Sequence, residues 1–266
     1  MKFSYLMYEP VPDLPELTRR MERLQSLGYQ GVELVATHPL GYGVTELAAV
    51  AERIGLPVVS LLSGWSYANE GLCLASPDGR IRDRAVERLF EYVGCASRLQ
   101  AIVVVGLMQG LLTDEPVAEK AAERIAACLV QVATRAKAQS VKVVLEPVNH
   151  LQVGFHHTAA EAQALVARVG SPALGYMLDT IHMNIEERSL LGTIRHHGAQ
   201  VRHFHLCETN GGPFGTGGLD FPGVLAALNE AGYDHYVSIK VYRHVGWQEA
   251  AQSSAAFLKR CGVPWT

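Results

Sequence analysis

The chain has 266 residues, 48 % hydrophobic and 18 % charged, enough apolar material for a large core and too much for an intrinsically disordered chain. A formal charge of −3 gives no electrostatic reason to expect a nucleic acid or an anionic membrane as partner. The five cysteines, Cys73, Cys95, Cys128, Cys207 and Cys261, are odd in number and lack CxxC spacing, which fits a reducing cytoplasm rather than a disulfide framework. No basic stretch followed by an apolar run opens the chain, so no signal peptide is expected. The most apolar runs, such as 101–107, are too short to cross a bilayer.

Strands and helices then alternate. A strand at 3–8 leads to a helix at 13–27, capped by Asp13 with Glu16 three residues on, as in a capping box, and ended by Gly28. A strand at 31–36 leads to a helix at 45–54 closed by Gly55, and a strand at 57–62 to a helix at 81–99. Strand 101–107 precedes helix 117–138. Strand 141–146 precedes helix 159–169, with Thr158 as its cap. The last three pairs are 174–179 with 190–197, 201–206 with 221–231, and 236–240 with 248–261. The strands are nearly continuous Val, Ile and Leu, as parallel strands covered on both faces should be. Eight such pairs at this length predict an α/β chain folded as one (β/α)8 TIM barrel domain over residues 1–266.

In that architecture chemistry sits where strands end. Strand five ends in Leu145-Glu146-Pro147-Val148-Asn149, strand six in Leu178-Asp179-Thr180-Ile181-His182, strand seven carries His203-Phe204-His205-Leu206-Cys207-Glu208, and strand eight ends in Ser238-Ile239-Lys240. Side chains alternate across a strand. If Leu145 and Leu178 pack outward, Glu146 and Asp179 point into the barrel mouth, and His203, His205, Ser238 and Lys240 face inward with them. Burying acid, imidazole and amine groups together without function would incur a desolvation that apolar packing avoids. Two carboxylates and an imidazole suit a divalent cation of the Mn²⁺, Mg²⁺ or Co²⁺ kind. Such an ion polarises a carbonyl and its neighbouring hydroxyl, and a carboxylate beside it can remove the acidified C–H proton.

These motifs, above all Met177-Leu178-Asp179-Thr180-Ile181-His182-Met183-Asn184, resemble the xylose-isomerase-like sugar isomerase/epimerase superfamily, with the D-tagatose/D-psicose 3-epimerase group nearest. The resemblance extends over nearly the whole chain, including Ser76-Pro77-Asp78 and the helix after it. It implies a metal site of Glu146, Asp179 and His205, most often filled by Mn²⁺ or Co²⁺, with His182 contacting substrate oxygens. The sequence departs from the family pattern at three places. Lys240 stands at the second ligand glutamate, Gly211 at a substrate-binding arginine, and Gln152 at a further glutamate. An ammonium repels a metal: two unit charges about 4 Å apart interact by roughly 4 kcal/mol at an effective dielectric near 20, and a divalent ion doubles that. Lys240 therefore either takes the cation's place, swings aside, or loses its proton and serves as a base.

The expected function is that of a metal-dependent isomerase or epimerase of a ketose or related polyhydroxy-carbonyl compound, acting through an enediolate. Glu146, Lys240 and His182 are the catalytic candidates, and His182, Glu208, Trp65 and Gln152 are expected to bind substrate. A lyase on a keto sugar acid and a non-catalytic sugar-binding homologue are the alternatives; the charge balance argues against an endonuclease. Tyr5 is expected in the core. His150, His156 and His157 offer a second metal site only weakly, since adjacent residues of an extended chain point to opposite sides. The glycine-rich stretch 211–218 reads as a flexible lid. Exposed barrel helices suggest a homodimer or tetramer.

Overall fold

The computed structural model describes residues 1–38 and 40–265. Its strands are β1 (Lys2–Met7), β2 (Gly31–Val35), β3 (Val58–Leu62), β4 (Ile102–Val105), β5 (Val143–Leu145), β6 (Leu174–Tyr176), β7 (Leu178–Asp179), β8 (Phe204–Cys207) and β9 (Tyr236–Lys240). All pair in parallel, in the order β6-β5-β4-β3-β2-β1-β9-β8-β7, to make a near-closed barrel. Against the eight strands expected, nine are found among the described residues, because the predicted sixth strand is divided at Met177. Its lower half pairs with β5 and its upper half with β8; Met177 N–H still donates to Leu145 at 2.9 Å and Leu178 N–H to His203 at 3.3 Å. Such a stagger is what closing a tilted sheet requires.

Among the described residues ten α-helices are present against the eight expected: α1 (Leu14–Ser26), α2 (Val44–Ile54), α3 (Gly64–Glu70), α4 (Gly79–Leu99), α5 (Ala118–Ala138), α6 (Ala159–Val169), α7 (Thr180–Glu186), α8 (Leu190–His197), α9 (Phe221–Glu230) and α10 (Trp247–Arg260). The two extra ones, α3 and α7, are seven residues long, too short to show an apolar period in sequence. Caps behave as their chemistry dictates. Thr158 and Glu161 form a complete capping box on α6, and Gly55 closes α2 in the left-handed conformation. Asp13 accepts from Glu16 N–H at 2.7 Å, but the Glu16 carboxylate pairs with Arg19 and Arg20 instead of returning to the cap, so the expected box is half made.

Strand alternation sorts the side chains. Leu145, Tyr176, Leu178, Phe204, Leu206, Val237 and Ile239 join the large core between sheet and helices. Inside the barrel, Val104, Val144 and Met177 form a small separate apolar cluster. Above and beside it the interior is polar: Ser4, Glu33, Ser60, His203, His205 and Ser238 are all buried. Tyr5 is buried, as expected, with its hydroxyl donating to the Trp247 carbonyl at 3.0 Å. No described helix is long and apolar enough to cross a membrane. Leu206 is fully enclosed on the outer face of β8. Leu206→Ala is expected to cost about 2–5 kcal/mol in urea unfolding; a loss below about 1 kcal/mol would contradict this packing.

Candidate active site

Register brings the ends of β5, β7, β8 and β9 to one volume: Asp179 lies beside His205, His205 beside Ser238, and Cys207 beside Lys240. The Lys240 ammonium donates to Asp179 Oδ2 at 2.6 Å. His205 Nδ1 lies 3.3 Å from the same oxygen and 3.4 Å from Glu146 Oε1. The other Asp179 oxygen, Oδ1, accepts from the Ile181 N–H at 2.9 Å, so Asp179 also caps α7. That cap starts a helix immediately after the strand and swings His182, one turn on, back over the barrel mouth. Glu146, Asp179 and His182 can each offer a ligand atom within 4.8 Å of the others.

His182 has a defined tautomer. Asn149 Oδ1 accepts from Leu151 N–H at 3.1 Å, so its amide Nδ2 faces His182 Nδ1 at 2.7 Å and donates to it. In the neutral ring the proton is then on Nε2, which points between Glu146 Oε1 at 3.7 Å and Asp179 Oδ2 at 3.8 Å. Burial, reinforced by the Lys240 charge, holds this imidazole below its ordinary range despite the nearby carboxylates.

The remaining charges are settled by their neighbours. Burial would lower the Lys240 ammonium, but Asp179 and Glu146 outweigh it and raise its pKa, so Lys240 stays charged. Lys240 thus pairs with Asp179, and its raised pKa disfavours a neutral base. Burial would raise the Asp179 carboxyl; the Lys240 charge reverses this and holds it far below its ordinary range. Glu146 is likewise held low, burial being overcome by His205 and Lys240. At His205 burial opposes protonation, yet Glu33, Asp179 and Glu146 together raise the ring well above the usual histidine range.

Two buried residues that strand-end reasoning passed over complete the site. Glu33, in the middle of β2, accepts from His205 Nε2 at 2.9 Å and His203 Nε2 at 3.0 Å. Its signal in the sequence is a lone acid inside the apolar run Gly31-Val32-Glu33-Leu34-Val35. Gln109 donates through Nε2 to the Glu146 carbonyl at 3.0 Å, while its Oε1 accepts from His156 Nδ1 at 2.9 Å. Gly106 is also required here. A Cβ at that position would lie 2.5 Å from Glu146 Oε2, so any larger residue would push the carboxylate aside.

A cavity of about 240 Å³ opens above this group. Glu146, His182, Lys240 and Gln152 are in its wall, together with Leu62, Trp65, Val104, Leu107 and Val148. Tyr8, at the rim, stacks on Tyr242 with ring centroids 5.0 Å apart. Trp65 and Gln152 both line the cavity, Trp65 from α3 rather than from a loop. Glu208 is not among the lining residues. It is fully buried, and its carboxylate accepts from the N–H groups of Thr209, Gly215 and Leu219 at 2.8–3.0 Å. Those bonds, with Phe214 packed 4.3 Å from the Phe221 ring, fasten the glycine-rich stretch. The free lid expected there is instead a loop wound around Glu208. His150 pairs with Glu186, His156 turns inward to Gln109, and His157 bonds the Val148 carbonyl, so the three histidines do not converge.

Residues 21–261 match the family model described as xylose isomerase-like TIM barrel. The chain is 30 % identical to an L-ribulose 3-epimerase of Mesorhizobium japonicum over 230 residues, 85 % of this chain and 76 % of that protein. It is 30 % identical to a ketose 3-epimerase of Arthrobacter globiformis over 217 residues, 80 % of this chain and 73 % of that protein. A solved L-ribulose 3-epimerase structure superposes with a TM-score of 0.87 at 25 % identity, covering 98 % of this chain and 94 % of that one.

His156 gives a test of the site's wall. Burial lowers its pKa from 6.5 to about 4. Because the folded value lies below the unfolded one, stability from the neutral ring is complete above about pH 6.5 and is lost as pH falls towards about 4. An NMR titration should find its midpoint near 4; a midpoint at the ordinary 6.5 would contradict its burial against Gln109.

Proposed function

Because this chain belongs to the xylose isomerase-like TIM barrel family and is closely related to its ketose 3-epimerase members, we propose that it is a metal-dependent isomerase or epimerase of a small ketose or related polyhydroxy-carbonyl compound, working through an enediolate. The observation that carries this reading is Glu146 Oε1. It is buried, makes no well-formed hydrogen bond, with His205 Nδ1 3.4 Å away, and belongs to a carboxylate in the cavity wall. Native proteins rarely leave a buried acceptor unpaired, and a carboxylate oxygen kept open in this way is suited to a ligand. The cavity, below the roughly 300–1,000 Å³ of sites for drug-sized ligands, suits a molecule of monosaccharide size.

The donor set fits a divalent cation. Glu146 Oε1, Asp179 Oδ2 and His205 Nδ1 are separated along two sides by 3.3–3.4 Å, close to the roughly 3 Å between adjacent ligands of an octahedral ion with bonds of about 2.1 Å. Glu146, Asp179 and His205 would hold it; Mn²⁺ suits this oxygen-rich set best, with Mg²⁺ or Co²⁺ as alternatives. Bound there, the ion supplies polarisation of the substrate's carbonyl and neighbouring hydroxyl.

The chain's own groups do the rest. Glu146 takes the proton from the carbon beside the carbonyl and returns it, on the same face of the enediolate, to the neighbouring carbon; inversion at the first carbon requires a second group that delivers a proton from the opposite face. His182, its Nδ1 held by Asn149, offers the Nε2 proton to a substrate oxygen. Lys240, at the position where the family pattern has a second ligand glutamate, places a fixed positive charge against the enediolate oxygen as negative charge develops there. Trp65 and its apolar neighbours exclude water from the sugar's far side, and Gln152 bonds its hydroxyls. A lyase acting on a keto sugar acid is the second reading, favoured by the Lys240 ammonium in the cavity wall, which can pair with a carboxylate; a change in product mass would distinguish it.

Incubation of candidate ketoses in D₂O should bring deuterium onto the carbon next to the carbonyl. Glu146→Gln should slow that exchange by about 10²–10⁴-fold. Undiminished exchange in Glu146→Gln, or no exchange with any ketose, would contradict the proposal.

A further inference from the structure

Glu33 has no exposed surface and is not among the residues that line the cavity. It stands on β2, across the barrel from β8, yet its two oxygens serve two β8 histidines. His205 Nε2 lies 2.9 Å from Oε1 and 3.1 Å from Oε2, and His203 Nε2 lies 3.0 Å from Oε2. Packing alone does not call for this. Burying a carboxylate costs several kcal/mol unless it is well paired, and an apolar side chain of similar volume often serves stability as well or better. The neighbour of Glu33 on β3 is Ser60, and the same interior carries Ser4 and Ser238. A small hydroxyl residue is thus the ordinary occupant of this layer, and the acid is the exception.

An ionised carboxylate only accepts hydrogen bonds, so both imidazoles must present a protonated Nε2 to Glu33. On His205 that fixes the ring's orientation as well. With Nε2 committed to Glu33, Nδ1 is directed at Asp179 Oδ2 and Glu146 Oε1, 3.3 and 3.4 Å away. His203 braces the carboxylate from the other side, its ring centroid 5.2 Å from that of His205. We propose that Glu33 is a positioning residue: held between His203 and His205, it keeps the His205 proton on Nε2 and presents Nδ1 to the group formed by Glu146 and Asp179. The inference rests on reading that group as a cation site. Glu33 touches neither cavity nor substrate and acts through His205, in the way that partners of ligand histidines set ring tautomer and basicity.

The test uses the full chain with ¹⁵N-labelled histidine, the His205 signals being assigned by their loss in His205→Gln. Two readouts are taken: the slowly exchanging Nε2-bound proton of His205, without metal and with Mg²⁺, and the affinity for Mn²⁺ alone by equilibrium dialysis. In the wild type the Nε2 proton is expected in both states. Glu33→Gln keeps the volume but has one accepting oxygen for two donors. It should abolish or shift that proton signal and weaken Mn²⁺ binding by about 10–100-fold. His203→Gln, which keeps a donor to Glu33, should leave Mn²⁺ affinity within a few fold. Glu33→Gln with an unchanged His205 signal and unchanged Mn²⁺ affinity would overturn the proposal. So would equal weakening by His203→Gln with the His205 signal intact, since that is the result of packing alone. If Glu33→Gln does not fold, Glu33→Asp is read by the same two measures, its shorter carboxylate reaching the two rings less well. A wild type that takes up no Mn²⁺ would refute the cation-site reading, and the metal-free proton signal would still decide the role of Glu33.

Discussion

Glu33, Glu146 and Asp179 converge on a single imidazole, that of His205, in a space almost wholly closed to water. Three carboxylates so close repel one another strongly in a poorly polarisable interior. Two of the chain's own groups answer them: the Lys240 ammonium on Asp179, and His205, whose pKa the three carboxylates raise. Removing one partner of such a buried pair typically costs about 3–5 kcal/mol, because the other charge is left uncompensated. The arrangement is therefore retained at a cost in stability that an apolar barrel interior would not carry. Five parallel strands, β2, β5, β7, β8 and β9, supply its members, and only their common register brings the charges close enough to hold one another.

Around this group the structure divides labour. The outer faces of the strands, with Leu145, Leu178, Phe204 and Ile239, set the barrel's rigidity. The segments just beyond the strands set the chemistry: Asp179 starts α7 and so delivers His182, Asn149 fixes the His182 ring, and Gln109 ties down the Glu146 backbone. Gly106 yields the space that the Glu146 carboxylate occupies. The cavity's lining also includes Trp65, Leu107 and other apolar side chains, so charged and apolar surface meet in one cavity. Fixed dipoles and charges in such a site act more strongly than in water and need no rearrangement as charge develops.

Much of this is written locally in the sequence. Period-two alternation in the strand-end segments is enough to face Glu146, Asp179, His205 and Lys240 inward together, and the structure brings all four to one place. The division of the sixth strand at Met177 is not legible, because it comes from closure of the whole sheet. Helices α3 and α7 are missed because seven residues carry no periodic signal. Glu33 is not legible as a site residue from strand ends, because this acid lies mid-strand and meets His203 and His205 only once the barrel closes. The role of Glu208 is misread for a related reason. A carboxylate after a strand is equally suited to a substrate or to the backbone of the next loop, and only tertiary structure shows that its bonds go to Thr209, Gly215 and Leu219.

The central claim is that Glu146, Asp179 and His205 form one cation site in which Lys240 is an internal competitor. An ammonium some 4 Å from a divalent ion opposes it by on the order of 8 kcal/mol at an effective dielectric near 20, and the carboxylates offset that only in part. The most direct measurement is the Mn²⁺ affinity of the wild type beside that of Lys240→Gln and Glu146→Gln. The account predicts one Mn²⁺ per wild-type chain, binding at least about tenfold tighter in Lys240→Gln, a gain of roughly 1.4 kcal/mol, and little or none in Glu146→Gln. Mn²⁺ binding that ignores both substitutions, or its absence from both wild type and Lys240→Gln, would contradict it.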